Sequence, residues 1–286
     1  MCFRNFFAII LLGASITATA FAQGAPVKDP AAIAAENKRI EASNAAMKKA
    51  LIDGNLAYTK KDYDGAVTIY DAAINADPTH PGVPSLLMNK AAAQMQRGVE
   101  IFNSSVTAKN KDLLESGKRY LVDAATTSTK AVALAKTLKY DSQNILPILA
   151  MRKSTLRLAV TKAGFTEVAG AASAYNEYVD AETDAAKKMQ ARAELGDVFF
   201  ATGDYERAKI EFEKAYKVLP NNTAVLAGLG TTLFFIGAQN DGALSLQRSA
   251  NLLKAFLAGA AAGDPKRSDA EMMLNELKAA HNIIYS

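Results

Sequence analysis

Cysteine is all but missing from this sequence: the 286 residues hold one, Cys2. It lies in a leader-like N-terminus, so the processed chain is expected to carry no disulfide, no thiolate metal site and no cysteine nucleophile. Histidine is nearly as scarce. His80 and His281 are the only two, and their separation leaves no pair at metal-ligand spacing. No serine sits in a Gly-x-Ser-x-Gly turn. Gly228-Leu229-Gly230 superficially suggests a nucleotide loop but lacks the preceding strand and the third glycine, so it reads as helix packing. Glu211 and Glu213 read as solvated carboxylates on a helix. These absences leave no candidate catalytic residue, metal site or cofactor, and the chain is expected not to be an enzyme. Beyond the first 22 residues no run is long and apolar enough to span a membrane.

Residues 1–22 read as a secretory signal peptide: Arg4 supplies positive charge, Phe6 to Leu12 form an apolar run, and Ala20-Phe21-Ala22 offers a small-x-small cleavage site. The mature chain is then expected to begin near Gln23 and to work in the periplasm of a bacterium or outside the cell. The net charge of +4 drops to +3 once Arg4 is removed, too little to suggest nucleic acid as a partner. The charge is uneven, however. Residues 107–165 are rich in Lys and Arg, among them Lys118, Arg119, Arg152, Lys153 and Arg157, whereas Glu167 to Asp184 carry only acidic charge. Two readings follow: mutual neutralisation of a basic helix by an acidic neighbour, or an anion site built on those five cations.

Half of the residues are hydrophobic and the mean hydropathy is −0.01, which suits a folded chain with a sizeable core. Its organising stretch is Met189 to Asn222. Two amphipathic segments are broken there by Thr202-Gly203-Asp204, with Leu195, Gly196, Phe199, Ala208, Phe212, Ala215 and Pro220 at the key spacings. Gly196 and Ala208 are small where two helices would cross closely, Phe199 and Phe212 fill the space beside the crossing, and Pro220 ends the second helix. This stretch resembles the tetratricopeptide (TPR) repeat, a helical hairpin of 34 residues. Thr223 to Phe256 follows in register, with Leu229, Gly230, Leu233 and Gly237 at equivalent positions. Met47 to His80 matches through Gly54, Ala66, Tyr70, Ala73 and Pro78.

In chain order, Asp29 and Pro30 are expected to open a long helix with Ile33, Ile40, Met47 and Gly54 on one apolar face. Asp77 to Pro84 reads as a linker. Degenerate helical hairpins are expected over 85–138 and 141–182, with Asp141 or Ser142 capping a helix. The helix after Gly242 is expected to run toward Ala262. A capping helix over 268–285 would open on a Ser268/Glu271 capping box and present Met273, Leu274, Leu277, Ala280 and Ile284 on one face. The whole is an all-α solenoid of about five hairpins with a terminal cap, a single domain over 23–286.

The resemblance implies a scaffold that binds a protein or peptide through its inner groove, here a partner in the cell envelope. The family's groove positions, transferred by register, include Lys48, Asn55 and Tyr58 on the first match, Asp197 and Phe200 on the organising repeat, and Thr231 and Phe234 on the next, with Phe235 beside it. Phe200, Phe234 and Phe235 suggest an aromatic groove for an amphipathic helix or an extended segment. Burial of those rings between hairpins is the competing expectation. The alternative function is binding of an anionic envelope ligand, lipid phosphate or polysaccharide, through the basic central hairpins.

Overall fold

In the computed structural model, which describes residues 29–240 and 242–283, the described residues form eleven α-helices and no strand. Ten pair off in sequence: α1 (Pro30–Thr59) with α2 (Tyr63–Ala76), α3 (Val83–Ala108) with α4 (Lys111–Thr137), α5 (Ser142–Ala163) with α6 (Val168–Ala181), α7 (Ala185–Ala201) with α8 (Tyr205–Val218), and α9 (Thr223–Asn240) with α10 (Ala243–Gly259). Helix α11 (Arg267–His281) stands last. The signal-peptide segment and Ile284 lie outside the described residues.

The chain divides into two compact units at Ala42. The described part of the first is the opening of α1, where Asp29 accepts a hydrogen bond from the Ala31 N–H at 3.1 Å. Ile33 and Ile40 are 46% and 43% exposed, so the apolar stripe they begin is buried only from Met47 onward. Burial starts where the second unit supplies a partner. At Gly54 the Tyr70 ring lies 2.3 Å from where a Cβ would stand, so only a hydrogen fits.

Six helices of the second unit open on an Asp or Asn side chain that accepts a backbone N–H, namely Asp62, Asn110, Asp141, Asp184, Asp204 and Asn222. These residues satisfy donors that a helix start leaves unpaired. Asp204 accepts from the Arg207 N–H at 3.1 Å and from its guanidinium. Desolvation acts on its carboxyl in the opposite direction, but those bonds and the arginine charge outweigh it and hold the pKa below the ordinary value. Asp204→Ala is therefore expected to cost about 1 kcal/mol at neutral pH. A depressed pKa gives stability that is present above the unfolded value and is lost as pH falls through the folded one. The gap between wild type and variant in urea unfolding should accordingly narrow on acidification; a gap independent of pH would show that the carboxylate charge is irrelevant.

Two connections differ from the expected ones. Only Asp77 to Gly82 link α2 to α3, because Pro84 falls in the first turn of α3, where a missing N–H costs nothing. His80 braces this link, its Nε2 2.8 Å from Asn44 Oδ1 and its Nδ1 accepting from the Gly82 N–H at 2.9 Å. Helix α10 stops at Gly259 rather than Ala262, and α11 opens at Arg267, which puts Ser268 inside the helix instead of at its cap. Asp264 takes over the capping role: its side chain accepts from the Lys266 N–H at 2.9 Å and its carbonyl from the Arg267 N–H at 3.1 Å. The Arg267 guanidinium donates back to the Leu257 and Ala260 carbonyls at the end of α10. Ala270, Leu274 and Leu277 of α11 are buried, whereas Ala280 is exposed.

The Phe212 ring of the second unit is almost fully buried, 1% exposed. A Cβ on Gly196 would lie 2.8 Å from its Cε2, and one on Gly228 would lie 2.3 Å from its Cε1. One ring is thus clasped by glycines of two successive hairpins. Gly230 in turn admits Leu253, which would stand 2.9 Å from an added Cβ, so the Gly228-Leu229-Gly230 run serves helix packing as expected.

From α3 onward each odd helix packs on the next odd one, as well as on its sequence neighbours. The even helices pack closely only on their neighbours in sequence and reach one another through single polar contacts, such as Lys136 of α4 on Glu177 of α6 and Arg248 of α10 on Glu213 of α8. The second unit is therefore two-layered, with α3, α5, α7, α9 and α11 as the continuous inner layer.

Candidate functional site

Of the residues expected to face a partner, Asp197, Phe200, Thr231, Phe234 and Phe235 lie on the inner layer, whereas Lys48, Asn55 and Tyr58 lie on α1. Phe234 is 7% exposed and belongs to the core; burial between hairpins wins there over the groove. Phe200 and Phe235 are half-buried and edge-to-face, with centroids 5.5 Å apart. Between them stands Tyr205, the first residue of α8, stacked on Phe235 at 5.1 Å and tilted against Phe200 at 5.3 Å. The same arrangement recurs one match earlier in the chain, where Tyr58 meets Tyr63, the first residue of α2, at 5.2 Å. In both hairpins the last ring of the first helix closes onto the ring that opens the second. Tyr205 and Tyr63 were legible as the aromatic after the turn aspartate in Gly-Asp-Tyr and Lys-Asp-Tyr, a signal the groove register does not contain. These rings close hairpin ends and contribute only their edges to any groove.

Of the remaining groove positions, Lys48 is exposed and Asn55 accepts a hydrogen bond from the Tyr70 hydroxyl at 2.8 Å. Asp197 and Thr231 stand at equivalent positions of successive repeats, both partly exposed. Around Asp197 the inner layer carries a charged row. Lys153 of α5 lies 2.5 Å from Glu194 of α7, which also accepts the Tyr175 hydroxyl at 3.2 Å. Arg157 of α5 stands 3.9 Å from Asp197, and Lys266, just before α11, stands 3.8 Å from the same carboxylate.

Electrostatics follow from that packing. Lys153 is 8% exposed, with its ammonium 5.2 Å and 4.9 Å from the Tyr175 and Tyr178 ring centroids, so it exchanges water for a carboxylate and two π faces. Burial first, then the Glu194 charge, pushes the Tyr175 hydroxyl well above the usual tyrosine range, and it remains a neutral donor. Burial also raises the Asp197 carboxyl, against the lowering influence of Lys266 and Arg157.

The five cations of the expected anion site do not converge. Lys118 and Arg119 are on α4, and Lys118 is 2.8 Å from Glu115 of its own helix. Arg152 is 3.1 Å from Glu177 of α6, which Lys136 of α4 also meets at 3.0 Å. Arg119 alone of the five is classed as exposed. Neutralisation by the acidic α6 thus holds for Arg152, while Lys153 and Arg157 reach past α6 to carboxylates on α7. Glu194 and Lys266 are the residues that sequence reasoning missed.

Among the described residues no three His, Cys, Asp or Glu side chains gather to hold a metal, and no helix is long and apolar enough to cross a membrane. A depression of about 600 Å³ opens between α8 and α10, lined by Tyr216, Arg248, Leu252 and Ala255.

Compared with known proteins, the tetratricopeptide repeat profile matches residues 190–222. Residues 190–222 therefore form a tetratricopeptide repeat. The matched stretch is α7 with α8, the hairpin that carries Glu194, Asp197 and Phe200. No curated protein sequence matches. The crystal structure of the MamA protein is similar in fold, with 18% identity and a TM-score of 0.52 over 78% of this chain and 100% of that one. BtubC from P. vanneervenii aligns at 16% identity and a TM-score of 0.43, covering 86% of this chain and 84% of that one. A tetratricopeptide repeat protein from Parabacteroides merdae aligns at 14% identity and 0.30, covering 85% and 94%. The TPR hairpin is a protein-interaction module.

Proposed function

We propose that this protein is a non-catalytic TPR scaffold, exported to the cell envelope, that holds a segment of a protein partner along the inner layer of α5, α7, α9 and α11. The observation that carries the reading is the charged row on that layer: Arg157, Asp197 and Lys266 are partly exposed and lie farther apart than a hydrogen bond requires. Polar groups held in register on a rigid helical surface, flanked by the ring edges of Phe200 and Phe235, suit an extended polypeptide better than a small molecule. The anionic-ligand alternative is weaker on the same ground, since four of its five cations already face a carboxylate.

The test is site-specific photo-crosslinking in the source cells, with the crosslinker at Gln190 and Thr231 on the inner face and at Ile210, exposed on α8. The expected result is one protein captured from both inner positions and not from Ile210. Equal capture from Ile210, or none from the inner positions, would overturn the scaffold reading. Export is checked on the same material by the mass of the N-terminal peptide, expected to begin near Gln23; a chain retaining Met1 to Ala22 would remove that part of the proposal.

A further inference from the structure

Asp197 offers its two carboxylate oxygens to different cations. Oδ2 faces Arg157 Nη1 at 3.9 Å, and Oδ1 faces Lys266 Nζ at 3.8 Å. Neither distance is a hydrogen bond, so the charge is balanced while the lone pairs remain available to a closer donor. The two cations are also unlike. The Arg157 side chain is 23% exposed and lies within electrostatic reach of Tyr175 and Glu194 as well. Lys266 arrives from the α10–α11 turn on a flexible four-carbon stem, and its side chain is 49% exposed.

The surroundings of Asp197 define what could replace Lys266. Its side chain is 35% exposed, yet desolvation is the strongest influence on it. Its carboxylate is thus partly open to water while Arg157 and Lys266 stand on either side of it. Glu194 lies close enough to repel added negative charge, so a partner carboxylate would meet two like charges. An apolar side chain would strip water from Asp197 and leave it with one distant cation. A cation exchanged for a cation leaves the local charge unchanged, and a better-placed ammonium or guanidinium gains the short charge-assisted bond that Lys266 does not make.

On the reading above, in which a protein segment lies along the inner layer, we propose that Lys266 is a placeholder and that the partner supplies a lysine or arginine side chain to Asp197 Oδ1, with Arg157 retained on Oδ2. The inner face is then selective for a basic residue at this point of the bound segment, and the α10–α11 turn competes for the site until the partner arrives.

The test uses the mature chain and two probes, N-acetyl-lysine methylamide and N-acetyl-norleucine methylamide, which differ in the ammonium group. Binding is read by NMR as the carboxyl carbon shift of Asp197 and the amide shift of Thr231, in wild type, Lys266→Ala and Asp197→Asn. The expected result is that Lys266→Ala binds the lysine probe about two- to fivefold more tightly than wild type, the range for releasing one partly exposed ionic competitor. The norleucine probe should show no such gain, and Asp197→Asn should lose the discrimination between the probes at Thr231. Equal response to the two probes in Lys266→Ala, or no gain over wild type, overturns the proposal. So does faster amide exchange in α11 of Lys266→Ala without tighter binding, which would make Lys266 a staple for that helix. Because this titration needs no partner, it fails separately from the crosslinking: lysine selectivity without inner-face crosslinks would sink the scaffold reading, and crosslinks without selectivity would sink the placeholder alone.

Discussion

Phe212→Ala is expected to destabilise the protein by about 3–5 kcal/mol, the cost of removing a fully buried ring and leaving a void. The cost should lie toward the upper end because the ring is gripped on two sides by backbone. Gly196 and Gly228 approach it as bare Cα atoms, so neither has a side chain able to swing into the space it leaves. The loss should also be shared. Helix α8 belongs to the hairpin of Gly196, but Gly228 belongs to α9, so amide exchange should speed up in both hairpins rather than in α7 and α8 alone. The converse substitution, Gly228→Ala, forces the ring to move and is expected to cost about 1–3 kcal/mol by overpacking. Urea unfolding of the two variants, with exchange resolved by helix, checks both statements. A loss below about 1 kcal/mol for Phe212→Ala would mean that the hairpins close over the void.

Removing Glu194 should be nearly as severe. Glu194→Ala leaves the Lys153 ammonium buried between two tyrosine rings with its carboxylate gone, and breaking a buried pair from one side costs about 3–5 kcal/mol. The Tyr175 hydroxyl loses its acceptor in the same step. Removing both charges is a different perturbation: Lys153→Met with Glu194→Leu takes away the desolvation cost together with the attraction, and stability is expected to return to within about 1–2 kcal/mol of wild type. Denaturation of the two single variants and the double variant reads the coupling directly. Additive losses would show that Lys153 and Glu194 act independently and that water reaches the pair.

The sequence makes the fold legible because each hairpin states its packing locally. Gly196, Phe199, Ala208 and Phe212 lie within one repeat, and their spacing alone says that two helices cross there. The caps are equally local: Asp141 and Asn222 could be assigned from the residues that follow them. The cap of α11 misled, since Ser268 and Glu271 form a valid pattern and only the turn shows that Asp264 reaches the free N–H groups first. The charged row was not legible, because Lys153 and Glu194 are 41 residues apart on helices whose relative rotation no periodicity reports. The excess of basic residues in the centre is visible, and so is the acidic helix that follows it, but of the four α5 cations Lys153 and Arg157 look across the inner layer to α7. The aromatic positions were placed by register, which gives the helix and the level on it, and does not foresee that Tyr205 meets Phe200 and Phe235 first.

The outer helices, packed only on their neighbours in sequence and joined to one another by single ion pairs, give the stack the mechanics of a leaf spring. Fanning α4, α6, α8 and α10 apart strains only side-chain ion pairs such as Lys136–Glu177 and Arg248–Glu213, whereas shearing the row of odd helices must slide packed side chains past one another. The inner row is therefore the stiffer side of the stack, and the spacing of its charged residues is the dimension that resists change most.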